Sequence, residues 1–128
     1  MSDAMSPVRV LVVDDALFMR GMIREILGRS GGFEVVGEAG DGFEAIERYR
    51  ELRPDLVTMD IVMPRMDGID AAREIVRLDP GATIVMCSSL GQESLVIESL
   101  GAGARDFIVK PFSTEKVLHV LRGMAHAA

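Results

Sequence analysis

Val8-Arg9-Val10-Leu11-Val12-Val13-Asp14-Asp15 opens the patterned part of the chain: a mostly β-branched run, then two adjacent carboxylates. A run apolar at almost every position, rather than at every second one, reads as a strand buried on both faces. Four further runs of this kind follow, at residues 33–36, 56–59, 83–87 and 107–109. Between them the apolar residues recur at helical spacing. Phe18, Met22, Ile23, Ile26 and Leu27 form one stripe; Ala45, Ile46 and Tyr49 a second; Ile69, Ala72, Ile75 and Val76 a third. Val96, Ile97 and Leu100 form a shorter fourth, and Val117, Val120, Leu121 and Met124 a fifth, behind a cap at Ser113. Gly28, Gly31 and Gly32, then Gly101 and Gly103, fall where helices should stop, and Asp67 reads as a helix cap. Strand and helix therefore alternate five times. That is an α/β chain of the (βα)5 kind, a five-stranded parallel sheet doubly wound by helices. Such sheets bind their ligands at the carboxyl ends of the strands.

The bulk properties agree and exclude other classes. With 128 residues the chain fits one core, and 48% hydrophobic with 27% charged residues is ordinary for a globular domain. A net charge of -6 disfavours nucleic acid and anionic membrane as partners. No apolar run approaches a membrane span, and the lone Cys87 has no partner for an internal disulfide, which suits a cytoplasmic, reducing setting. Residues 1–7 are expected to be a flexible leader and residues 8–126 the domain, with His119 and His126 facing solvent. At this length no separate output domain is expected, and a monomer is expected.

The strand ends carry the chemistry. Asp14 and Asp15 follow the first run, Asp60 the third, Ser88 and Ser89 close the fourth, and Lys110-Pro111 follows the fifth. Taken singly, each has a plain structural reading as a cap, a turn former or a solvated charge. Their joint placement at four of five strand ends does not. Three carboxylates at one edge repel one another, so their pKa values should rise unless a cation cancels the charge. Mg²⁺ suits an all-oxygen set of this size, and a Lys ammonium with a Ser hydroxyl suits a phosphoryl group. Phosphoryl transfer needs chiefly positioning and charge neutralisation, and a carboxylate can itself be the nucleophile. No His/Cys grouping has zinc spacing, and Gly40-Asp41-Gly42 is a turn with no nucleotide-loop pattern around it.

Val12-Val13-Asp14-Asp15, Asp60-Ile61-Val62-Met63-Pro64-Arg65-Met66-Asp67-Gly68, Ser88 and Lys110-Pro111-Phe112 together resemble the signature of response-regulator receiver domains, over residues 8–124. Asp15-Ala16-Leu17-Phe18-Met19-Arg20, Thr58-Met59-Asp60, Met86-Cys87-Ser88 and residues 104–112 narrow the likeness to the chemotaxis, CheY-like branch of Gram-positive and thermophilic bacteria. The resemblance implies a CheY-like, flavodoxin-like sheet of order 2-1-3-4-5 and a cis Lys110–Pro111 bond. It implies that Asp60 accepts a phosphoryl group from a histidine kinase. Asp14, Asp15, Asp60 and the Val62 carbonyl would hold Mg²⁺, Asp14 largely through water. Lys110, Ser88 and the backbone at Val62 and Ser89 would contact the phosphoryl group. Ser88 and Phe107 would be the switch pair. The implied partners are a CheA-like chemotaxis kinase and a FliM-like flagellar motor switch protein, the latter on the face made by the fourth helix, fifth strand and fifth helix. A dedicated phosphatase is compatible with this scheme. Val62 and Leu90 are apolar at positions that tune phosphoryl lifetime in the family, and Phe107 stands where Tyr is common.

Three rivals remain at this point. A phosphorelay intermediate would pass its phosphoryl group to a His phosphotransfer protein instead of gripping a motor. An aspartyl-phosphate phosphatase would place its DxD nucleophile after the first strand, whereas Asp60 follows the third. A flavin-binding flavodoxin would carry a Ser/Thr/Gly-rich loop where Asp14-Asp15 stands.

Overall fold

A computed structural model describes residues 6–125. Most of the expected leader and His126 lie outside the described residues. The elements run β1 (Val8–Val13), α1 (Leu17–Ser30), β2 (Phe33–Ala39), α2 (Gly42–Leu52), β3 (Leu56–Asp60), α3 (Gly68–Leu78), β4 (Ile84–Ser89), α4 (Glu93–Gly101), β5 (Asp106–Lys110) and α5 (Thr114–Ala125). All five strands are parallel, in the order β2-β1-β3-β4-β5.

The unbroken apolar runs have a simple cause. Successive strand residues point to opposite faces, and each face has its own core. Leu11, Val13, Val57, Met59, Ile84 and Met86 pack with α2 and α3 residues such as Tyr49 and Ile75. Val10, Val12, Leu56 and Val85 pack with Ile23 and Leu27 of α1 and Leu121 of α5. Both neighbours along a central strand are therefore buried, and polar residues there are few; Thr58 in β3 is one, its hydroxyl buried without a partner. The edge strands tolerate polarity: β2 continues past its apolar start through Glu38 to Ala39, and in β5 the Asp106 carboxylate accepts a hydrogen bond from the Phe107 N–H at 2.8 Å.

The caps fall as expected. Asp67 accepts from the Asp70 N–H at 2.9 Å to start α3, and the Ser113 hydroxyl accepts from the Lys116 N–H at 3.1 Å to start α5. Gly31, at φ 74°, ends α1, whereas Gly28 lies inside that helix. Two stripes differ from expectation. Phe18 is 74% exposed, and Met19 takes its place on the core side of α1. In α4, Ile97 is 71% and Leu100 41% exposed, and the buried positions are Val96 and Ser99. Ser99 can be buried because its hydroxyl donates to the Leu95 carbonyl one turn back, at 2.7 Å.

Candidate functional site

The parallel register brings the strand ends to one edge. Asp60 lies opposite Cys87, Ser88 opposite Val109, and Ser89 opposite Lys110. At the neighbouring end of β1, the Asp14 N–H donates to the Ala39 carbonyl, and the Asp14 side chain turns back to accept from the Ala16 N–H at 2.9 Å. Asp14 and Asp60 are buried and Asp15 is exposed. One carboxylate oxygen from each of the three lies within 4.8 Å of the others. Lys110 reaches this cluster from β5: its Nζ donates to Asp14 Oδ2 at 3.0 Å and to Asp60 Oδ1 at 3.1 Å. The Lys110–Pro111 peptide bond is cis.

The electrostatics follow from this packing. Burial pushes the Asp60 carboxyl up to about 6, the nearby Asp14 charge adds to the rise, and Lys110 partly offsets both. Crowding, the expected cause, is thus second to desolvation. Lys110 is also buried enough to favour its neutral form, but its hydrogen bond to Asp14 and the Asp60 charge outweigh this and raise its pKa. Three carboxylates face one ammonium, every donor is an oxygen, and the exposed Asp15 opens the cluster to solvent. A hard divalent cation that keeps several waters fits such a set.

Behind Asp60, Cys87 is 2% exposed, and burial lifts its thiol to about 12, so it is a small core residue and not a nucleophile. Ser88 is buried at the boundary between the cluster and a surface groove of about 280 Å³ whose lining includes Ser88, Leu90, Val96, Leu100, Phe107 and Val109. Phe107, 37% exposed, forms part of that groove and is not locked in the core.

Three polar residues that support the site were not singled out from the sequence. Arg20 donates from Nη1 to the Asp14 carbonyl at 2.6 Å and from Nε to Glu38 at 2.9 Å, tying the end of β1 to α1 and β2. Asp41 and Arg65 form an ion pair across the loops after β2 and β3. Arg20 and Arg65 carry no local pattern that distinguishes them from solvated arginines. Asp41 had a legible sign, an acidic cap with Glu44 three residues on, which reads as a capping pair.

The sequence profile of the response regulator receiver domain matches residues 10–122. The chain is 57% identical over 113 residues to the chemotaxis protein CheY of Thermotoga maritima, covering 88% of this chain and 93% of that one. It is 58% identical over 113 residues to the chemotaxis protein CheY of Bacillus subtilis, again covering 88% of this chain and 93% of the relative. Among solved structures, the CheX–CheY–BeF3–Mg²⁺ complex of Borrelia burgdorferi contains a chain superposing with a TM-score of 0.88 at 41% identity, over 94% of this chain and 91% of that one.

Proposed function

The chain belongs to the response regulator receiver domain family, with chemotaxis CheY proteins among its relatives, and from that membership we propose that it is a two-component switch phosphorylated on Asp60. The single observation that carries this reading is the position of Lys110, bonded to both Asp14 and Asp60 beside three converging carboxylates.

The residues divide the work as follows. Lys110 holds Asp60 Oδ1, leaving Oδ2 as the attacking oxygen in this reading. That oxygen forms the new bond to phosphorus, the P–N bond of a kinase phosphohistidine breaks, and the imidazole leaves with the bonding pair and takes up a proton. Asp14, Asp15, Asp60 and the Val62 carbonyl would hold Mg²⁺, which supplies positive charge for the phosphoryl oxygens when bound. Lys110 and Ser88 serve the same oxygens from the side of β4 and β5, with backbone N–H groups near Val62 and Ser89. An Asp60 carboxyl near 6 is largely ionised at pH 7, so the nucleophile is available without a separate base.

Output would run through Ser88 and Phe107. A phosphoryl group that draws the Ser88 hydroxyl inward vacates space beside the groove, and the Phe107 ring gains by filling it. The face made by α4, β5 and α5, whose groove is lined by Val96, Leu100 and Val109 and beside which Ser113 and Arg122 are exposed, would then fit an amphipathic segment of a flagellar motor switch protein. A CheA-like kinase is the proposed donor, and a dedicated phosphatase a proposed means of reset; a CheX partner bound to CheY in the Borrelia complex shows that a protein can bind a chain of this fold. No helix among the described residues is long and apolar enough to cross a membrane, and the proposed setting is the cytoplasm.

Labelling with radioactive acetyl phosphate in Mg²⁺ tests the acceptor. Wild type should label stoichiometrically, and Asp60→Asn, which keeps shape but loses the nucleophile, should not. Undiminished labelling of that variant removes Asp60 from the mechanism. Beryllofluoride activation should tighten binding of a motor-switch peptide. If activation leaves peptide binding unchanged while the protein passes its phosphoryl group to a His phosphotransfer protein, the phosphorelay role replaces motor control.

A further inference from the structure

The loop of residues 61–67 leaves β3 directly after Asp60 and ends at the Asp67 cap of α3. Its first residue is held firmly. The Ile61 N–H donates to the Cys87 carbonyl at 3.2 Å, and the Ile61 carbonyl accepts from the Gly68 N–H at 2.7 Å. Val62 follows, 55% exposed, and Met63 returns to the core. The far half of the loop is held from another element, the head of α2. The Met66 carbonyl accepts from the Gly42 N–H at 3.0 Å. Arg65 donates through Nε at 2.8 Å and Nη2 at 2.5 Å to the same Asp41 oxygen, Oδ2.

Asp41 is well placed to anchor. It is 6% exposed, and its other oxygen accepts from the Glu44 N–H at 2.9 Å as the cap of α2. That backbone bond, with the Arg65 contact, holds its carboxyl below the usual range in spite of burial. Arg65 has φ 66°, at the centre of a tight turn closed by the Met66 N–H donating to the Pro64 carbonyl at 2.7 Å. Its side chain is 69% exposed, so core packing does not force the conformation.

We propose that Asp41, acting through Arg65, is a positioning residue for the Val62 carbonyl, and so sets the affinity of the acidic site for a divalent cation without touching it. The inference rests on the metal reading given above. Val62 lies three residues before Arg65, between an end pinned at Ile61 and an end pinned at Arg65 and Met66. Mg²⁺ demands near-ideal octahedral geometry, so a carbonyl free to rotate by a few tens of degrees is a poor ligand. Outer partners that orient ligands commonly matter by a factor of ten or more.

Charge alone predicts a different pattern, which makes the test decisive. If only the field counts, Asp41→Asn weakens cation binding and Arg65→Asn strengthens it, because the removed charges have opposite signs. If the ion pair positions the loop, both weaken it. Asn keeps the cap at position 41 and tolerates a left-handed backbone at position 65, so both variants should fold. Titration calorimetry with MgCl₂ is run on wild type, Asp41→Asn, Arg65→Asn, the double variant and Asp15→Asn, with urea melts in EDTA to select a temperature at which each is folded. Each single variant should bind Mg²⁺ more weakly by roughly tenfold, and the double variant no more weakly than the worse single. Arg65→Lys should recover part of the loss. An Arg65→Asn protein that binds Mg²⁺ as tightly as wild type, or more tightly, overturns the proposal. Asp15→Asn separates the two levels: if that variant also binds Mg²⁺ like wild type, the metal reading itself fails and positioning falls with it.

Discussion

Asp60→Asn should change stability in a pH-dependent way, and the size can be worked from the site. The Asp60 carboxyl rises from an ordinary 3.8 to about 6 in the folded protein, a displacement of roughly two pH units. A raised carboxyl pKa means the folded state binds the proton more tightly than the unfolded state does. Below pH ~4 both states are protonated and the group costs nothing. Between about pH 4 and pH 6 stability falls as pH rises, and above the folded value the full penalty persists, on the order of 3 kcal/mol. Asn has nearly the same shape and no proton to lose. The stability difference between variant and wild type should therefore grow in favour of the variant by about 2 kcal/mol from pH 4.5 to pH 7. With a urea m-value of roughly 2 kcal/mol/M, that is about 1 M in midpoint. The assay is a set of urea melts in EDTA followed by far-UV circular dichroism, a suitable probe because the chain has no tryptophan. Comparing variant with wild type at each pH cancels the titrating groups that do not interact with Asp60. A difference that stays constant across this range, or one that moves toward wild type as pH rises, refutes the account of Asp60 as a carboxylate ionised against the preference of its surroundings.

Lys110→Met leaves Asp14 and Asp60 buried without their shared ammonium, so metal-free stability at pH 7 should fall by about 3–5 kcal/mol, and Mg²⁺ should recover more of it than it adds to wild type; urea melts with and without the ion decide. Gly68→Ala places a methyl 2.0 Å from the Asp60 carbonyl oxygen and 2.9 Å from Met59, which backbone cannot yield cheaply; a loss of roughly 3 kcal/mol and weaker acetyl-phosphate labelling are expected. Ile97→Ser removes a side chain that is 71% exposed, so the melt should shift by no more than about 0.5 kcal/mol while affinity for the motor peptide drops in a titration. Phe107→Ala should reduce the ratio of peptide affinities between beryllofluoride-activated and inactive protein; an unchanged ratio excludes Phe107 as the switch.

What was legible in the sequence follows from how strongly each feature constrains its residues. Central strands buried on two faces admit few polar residues, so β1 and β3 could be read almost to their ends. The carboxylates and Lys110 were legible because five strand ends must meet at one edge once the strands are parallel. Helix phase was weaker evidence. In α1 both Phe18 and Met19 fit an apolar stripe, and only packing chooses between them. In α4, nine residues long, Ile97 fitted the apolar stripe yet faces out, and Ser99 is buried with its hydroxyl satisfied by the Leu95 carbonyl. Arg20 and Arg65 act through contacts with residues 18 and 24 positions away, and such pairs leave no trace in local composition. The cause of the Asp60 shift was also hidden, because repulsion is countable from a sequence and burial is not.

β5 is an edge strand, and that has a bearing on how the molecule behaves in a crowded solution. An edge offers unspent backbone donors and acceptors, and an apolar edge invites another chain to add itself as a sixth strand. β5 is short, carries the half-exposed Phe107 and Val109, and borders an apolar groove, which would make it adhesive. Its first residue counters this. The Asp106 carboxylate occupies the Phe107 N–H within the strand itself, and charges stand at both ends, Asp106 and Lys110. A would-be neighbouring strand must first break that bond and desolvate a carboxylate. Recognition on this side is thereby steered away from backbone templating and toward side-chain docking in the groove, where shape and sequence discriminate between partners.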